Sequence, residues 1–139
     1  MKKKMNNKGF SLVELIIVIA IMAVLIGVLA PQYIKYVERS RESADLDNYQ
    51  TIVSALQINA ADENATTVLT AGTIKFVKNT APVFATTNAE TVLNDLSADP
   101  SGLKMKSTKY GNAVITITVT SGVPTFSSDN TALNTAMGW

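Results

Sequence analysis

The 139-residue chain has no cysteine and no histidine. It therefore has no disulfide, no thiolate nucleophile, no imidazole base and none of the common soft-metal ligand sets. Aromatic residues are few: four Phe, four Tyr and one Trp. Charge is sparse as well, at 17% of residues. No G-x-S-x-G elbow and no phosphate-binding loop occurs. The acids Asp95, Asp99 and Asp129 are scattered and read as solvated loop residues rather than a calcium site. These absences argue against a secreted enzyme, and no catalytic residue, metal or cofactor is expected.

What the chain does have is a long apolar run behind a basic head. Four lysines precede Gly9, and the only polar interruptions between Phe10 and Ala30 are Ser11 and Glu14. As a helix, residues 10–30 are about 32 Å long. That matches the hydrocarbon core of a bilayer, about 30 Å thick. The lysines place the head in the cytoplasm and the remainder outside. A cleaved secretory signal is a poorer reading, because Pro31 would follow the candidate small-residue site Val28-Leu29-Ala30 and such a signal has no use for Glu14.

A carboxylate costs about 2.5–3.5 kcal/mol at the centre of a spanning helix and less near its end. Glu14 is either hydrated at the interface or neutralised by a cation. Cleavage after Gly9 would supply one, since a free amine on Phe10 is mostly protonated at neutral pH. In a bundle of parallel helices, that amine of one copy could meet Glu14 of another.

Lys8-Gly9-Phe10-Ser11-Leu12-Val13-Glu14 with the apolar run behind it resembles the class III signal of type IV prepilins and pseudopilins. The resemblance covers Lys8 to about Ala61. It implies cleavage between Gly9 and Phe10 by a membrane prepilin peptidase, which also methylates the Phe10 amine. Glu14 then becomes the residue that sets assembly register. Pro31 falls where the family commonly has a kinking proline, and with Gly27 it marks a region where the helix bends or melts. The implied partners are further copies of the chain, the peptidase/methylase, an assembly ATPase, a platform membrane protein and, before assembly, the membrane. The absence of cysteine fits Gram-positive, clostridial-type major pilins better than disulfide-stapled Gram-negative ones.

Beyond Pro31 the apolar positions Ile34, Val37, Ala44, Leu46, Tyr49, Ile52, Val53, Leu56 and Ala60 roughly follow a helical period. The charges between them, Glu38, Arg39, Arg41, Glu42, Asp45 and Asp47, read as a solvated face. Tyr33 and Tyr36 suit a membrane–water interface. The helix is expected to fade between Ala61 and Ala65, giving an element roughly 75–80 Å long. A globule of this size has no need of such a helix, so its first half belongs in lipid or against other copies.

The C-terminal part is rich in threonine, alanine, serine and asparagine. Residues 68–77 read as an irregular strand or a loop. Thr87-Asn88-Ala89-Glu90 has the form of a capping box before a short helix ending by Pro100. Ala113–Thr120 alternates strictly and is the clearest strand. Leu103–Tyr110 is its expected neighbour, and Ser121-Gly122 leads into a third strand near Pro124–Ser127. Trp139 is expected to tuck into the core. Lys75, Lys78, Lys104, Lys106 and Lys109 suggest a basic patch. Without the four leader lysines, however, eight basic side chains stand against eleven acidic ones, so nucleic acid is not an expected partner.

The expected fold is α+β, with a long N-terminal helix whose first half spans the membrane. A small antiparallel sheet packs on its second half. Four segments follow: a leader (1–9), a transmembrane and assembly helix (10–30), its amphipathic continuation (31–63) and an outer domain (64–139). The expected function is a structural subunit, a major pilin, of an extracellular type IV pilus for adhesion, motility or biofilm formation. The alternatives are a pseudopilin of a type II secretion or competence system and a monomeric membrane-anchored adhesin.

Overall fold

The computed structural model describes residues 9–96 and 98–139. The expected leader, apart from Gly9, lies outside them. Helix α1 runs Leu12–Ala61. The chain divides into two units, residues 1–37 and 38–139. In the first unit every described residue up to Tyr36 is exposed, including the whole apolar run. Nothing within this unit buries that surface.

In the second unit α1 continues, and its inward stripe is Asp45, Tyr49, Ile52, Val53, Leu56 and Asn59. This spacing of three and four residues keeps one face of the helix on the core. Four strands follow: β1 (Gly72–Phe76), β2 (Val83–Ala85), β3 (Ala113–Thr120) and β4 (Val123–Ser128). They form one antiparallel sheet in the order β2-β1-β3-β4. Two short helices complete the unit, α2 (Ala89–Asp95) and α3 (Thr131–Met137), with a single 3-10 turn at Pro100–Gly102. Tyr49, Ile52 and Leu56 of α1 share one core with Ile74 and Phe76 of β1, Ile115 and Ile117 of β3, Val92 and Leu93 of α2, Met105 and Leu133. Tyr49 meets Phe76 edge-on, with ring centroids 4.9 Å apart.

The β3–β4 hairpin forms where expected. Ser121 and Gly122 both have positive φ, the geometry that suits the twist of a two-residue hairpin. Three expectations are corrected. The sheet has four strands, not three, because Gly72–Phe76 is a regular strand paired on both sides. Leu103–Tyr110 is not a strand; β1 occupies the place beside β3 that was expected for it. No capping box forms at Thr87. Asn88 caps α2 by position only, and its side chain is bonded to Val68 and Thr70 instead. Helix α3 was not anticipated. Asn130 accepts from the Leu133 N–H at its start and Gly138 closes it in the left-handed conformation. Trp139 is half-buried and stacks on Phe126.

Candidate functional site: the N-terminal segment and the strap beneath the outer unit

Gly9 and Phe10 precede the helix in an irregular segment, and Phe10 is 94% exposed. Helical hydrogen bonding begins with the Leu15 N–H donating to the Ser11 carbonyl. Glu14 turns back so that its Oε2 accepts from the Ser11 backbone N–H at 3.0 Å. This is the acidic half of a capping box. Ser11-Leu12-Val13-Glu14 has the S-x-x-E spacing that announces it, and the sequence reading missed it. The Glu14 carboxylate therefore sits at the positive end of the helix dipole with one oxygen already bonded. Among the described residues no ion pair includes it. Gly9, Phe10 and Glu14 are thus brought together at one helix start.

Gly27 and Pro31 lie well along α1, which remains helical through both. Proline has no N–H, so the Gly27 carbonyl lacks its usual donor four residues on. Gly27 has open space around its Cα. The most apolar 18-residue window of the helix has a mean hydropathy of 3.1, and none of it is buried. Tyr33 and Tyr36 are exposed beyond it.

In the second unit, the helix carboxylates do not all form a solvated face. Asp45 is 1% exposed. Its Oδ1 accepts from the Lys106 N–H at 2.8 Å, and its Oδ2 accepts from the Ser107 N–H at 2.7 Å. One turn on, the Tyr49 hydroxyl donates to the Tyr110 carbonyl at 2.7 Å. One to two turns back, Glu38 accepts from the Thr108 N–H, and Glu42 lies 4.0 Å from the Lys109 ammonium. Residues 38, 42, 45 and 49 form a single stripe at four- and three-residue spacing. Together they strap residues 106–110 to the helix. The backbone bond from Thr108 is the chief reason the Glu38 carboxyl is held below its ordinary range. Burial, reinforced by Asp45 and Asp129, raises the Tyr49 phenol above its own.

Three further acids have local duties. Asp95 accepts from Thr67, Asp99 caps the 3-10 turn through Ser101, and Asp129 accepts from the Val114 N–H. Among the described residues no cluster of three metal-ligating side chains exists. A depression of about 490 Å³ lined by Gln50, Thr51, Ser54, Ile58 and Leu96 holds no titratable group. What the described residues set apart is the helix start at Gly9, Phe10 and Glu14.

Comparison with known proteins points the same way. The family described as the prokaryotic N-terminal methylation motif matches residues 4–30. The type IV major pilin protein PilA of Myxococcus xanthus (strain DK1622) is 39% identical over 50 residues, which is 36% of this chain and 23% of that protein. The match therefore spans about a quarter of that relative's length. No solved structure matches. With the methylation motif at its head, an apolar helix behind it and a small antiparallel sheet beyond, the chain is similar to type IV pilins.

Proposed function

We propose that the chain is a type IV prepilin, the precursor of a major filament subunit. The observation that carries this reading is the combination of the methylation motif with an apolar helix half that nothing in its own unit covers. Such a surface needs lipid or other copies of itself. Before assembly the helix spans the membrane with its basic head inside. The prepilin peptidase cuts between Gly9 and Phe10 and methylates the new amine. Phe10 is exposed and precedes the helix, so an enzyme can reach an unwound bond there.

An assembly ATPase and a platform membrane protein then lift subunits into an extracellular bundle. Glu14 exchanges its solitary bond to the Ser11 N–H for the amine of a neighbour, which sets the axial register. Gly27 and Pro31 give the helix a place to bend or melt as copies pack. The filament would serve adhesion, motility or biofilm formation. A pseudopilin would share the same leader and helix. Electron microscopy of cells labelled for this chain separates the two. Long surface filaments that vanish on deletion support the pilin, and a membrane-confined signal supports the pseudopilin.

A further inference from the structure

The end of α1 carries an unmet demand for a hydrogen-bond donor. Asn59 is the last buried residue of the helix and is 7% exposed. Its Nδ2 donates to the Thr67 carbonyl at 2.9 Å, while its Oδ1 has no donor among the described residues. Buried polar atoms are nearly always paired, so this one calls for a partner from outside. The same residue lines a cavity of about 70 Å³. Asn59 and Leu69 form its buried floor, Ala60, Ala65 and Val119 its half-buried walls, and Asp62 stands exposed at its rim. Apart from Asn59 and Asp62, every lining side chain is apolar. Asp62 Oδ1 accepts from the Asn64 N–H at 2.9 Å, which leaves its second oxygen for a ligand.

Charge around this cavity has one sign. Asp62 and Glu63 follow the helix directly, and no basic residue stands in its last turn. The C-terminal end of a helix is also the negative end of its dipole. Thr67, the partner of Asn59, donates through Oγ1 to Asp95 at 3.0 Å. No lysine or arginine occurs in residues 42–74, 79–103 or 110–139. Lys75 of β1 lies opposite Val114, which is about 17 Å of strand from Val119.

We propose that this cavity binds a primary alkylammonium group. The ammonium donates to Asn59 Oδ1 and to the Asp62 carboxylate, and its methylenes lie against Ala60, Ala65, Leu69 and Val119. A hard metal ion takes six or more oxygen ligands and is poorly served by apolar walls. A water answers Asn59 but leaves the negative field uncompensated. Since a water's share of liquid is about 30 Å³, the cavity seats the ammonium and its adjoining methylenes, and the rest of the ligand leaves over the rim. Two sources present this chemistry: a free aliphatic diamine and a lysine side chain of a second copy. The site lies within the outer unit, so it stands whether or not the chain polymerises.

The test uses the full chain in neutral detergent micelles, with the Asn59 side-chain amide and the Asp62 backbone amide followed by NMR. n-Propylammonium chloride should move both resonances saturably at millimolar concentration. Tetramethylammonium has no N–H and 1-propanol has no charge, so neither should move them. Sodium and calcium chloride at equal ionic strength should not either. Asp62 is exposed, and Asp62→Asn keeps an acceptor for the Asn64 N–H, so this variant folds. It should bind propylammonium about tenfold more weakly. Asn59→Leu should abolish the shift at Asp62.

A response to 1,4-diaminobutane in dilute protein assigns the site to a free amine. Shifts that grow with the concentration of the chain alone, together with a carbodiimide crosslink from Asp62 to a lysine of a second copy, assign it to that lysine. Either result upholds the ammonium site. An equal response to sodium or calcium makes it an inorganic-cation site and overturns the proposal. No response to any cation leaves the cavity to water and also overturns it. So does an Asp62→Asn chain that binds propylammonium as tightly as the parent.

Discussion

Asp45 and Ser107 stand 62 residues apart in the chain and meet through a 2.7 Å hydrogen bond inside the protein. Among the described residues the buried Asp45 carboxylate has no cation partner and is held by backbone N–H groups alone. It is a fastener between the helix and a segment that pairs with no strand. Replacing it with alanine leaves the Lys106 and Ser107 N–H groups without acceptors. Asp45→Ala should destabilise the outer unit by about 3 kcal/mol, and Asp45→Asn by less, because an amide oxygen still accepts. Denaturant unfolding of the detergent-solubilised chain, followed by the Trp139 signal, checks both. A loss below about 0.5 kcal/mol for Asp45→Ala would contradict the strap.

The same segment also depends on Gly111. A Cβ there would collide with the Ser107 carbonyl. Gly111→Ala should therefore cost about 1–3 kcal/mol, with the loss appearing first as faster amide exchange at residues 106–110. An unchanged exchange pattern would show that the close approach is not needed.

Two titrations should report on the strap from opposite sides. The folded-state value of Glu38 lies below its ordinary 4.5, chiefly through the Thr108 backbone bond. Its stabilising effect is therefore present above pH 4.5 and is lost as pH falls through the lower folded value. The Thr108 amide resonance should move in that acid window and stay still in Glu38→Gln. Tyr49 is raised above its ordinary 10.0, first by burial and then by Asp45 and Asp129. Its contribution is intact below pH 10.0 and is lost as pH climbs toward the raised folded value. Alkaline unfolding should shift in Tyr49→Phe, which removes both the titration and the bond to the Tyr110 carbonyl.

The misread segment shows where sequence patterning stops. Met105, Ser107 and Tyr110 are buried while Lys104, Lys106 and Thr108 are exposed, so the alternation read in residues 103–110 is present over most of that stretch. Alternation reports which way side chains point, not what the backbone bonds to. Here the N–H groups of Lys106, Ser107 and Thr108 go to helix carboxylates rather than to a strand. Those carboxylates were read as solvated because acids in an amphipathic helix usually are. Asp45 occupies the inward stripe that Ala44 was expected to share. β3 was legible because Ile115 and Ile117 against Thr116 and Thr118 leave no other register. β1 is a five-residue strand without such a signature. Helix α3 spans only seven residues, but Asn130 and Gly138 were adequate start and stop signals. At the N-terminus, the candidate residues stood out through chemistry rather than folding, as an acid stranded in an apolar run.

Glu14 is where the account meets assembly. Glu14→Ala removes the bond to the Ser11 N–H, which costs the first helical turn about 0.5–1.5 kcal/mol and leaves the Gly9–Phe10 bond untouched. Cleavage should proceed, while filaments on the cell surface become few or absent. Glu14→Gln should retain the cap but still fail to neutralise a neighbour's amine. Immunoblots for precursor and mature chain, paired with electron microscopy, separate processing from assembly. Normal filaments from Glu14→Ala would remove the register role.

The most direct test is the mass of the intact chain and its N-terminal peptide, purified from cells that produce it natively. The account predicts a chain that begins at Phe10 with a methylated amine and lacks residues 1–9. A native chain that still begins at Met1, or that begins at any other residue, would contradict it.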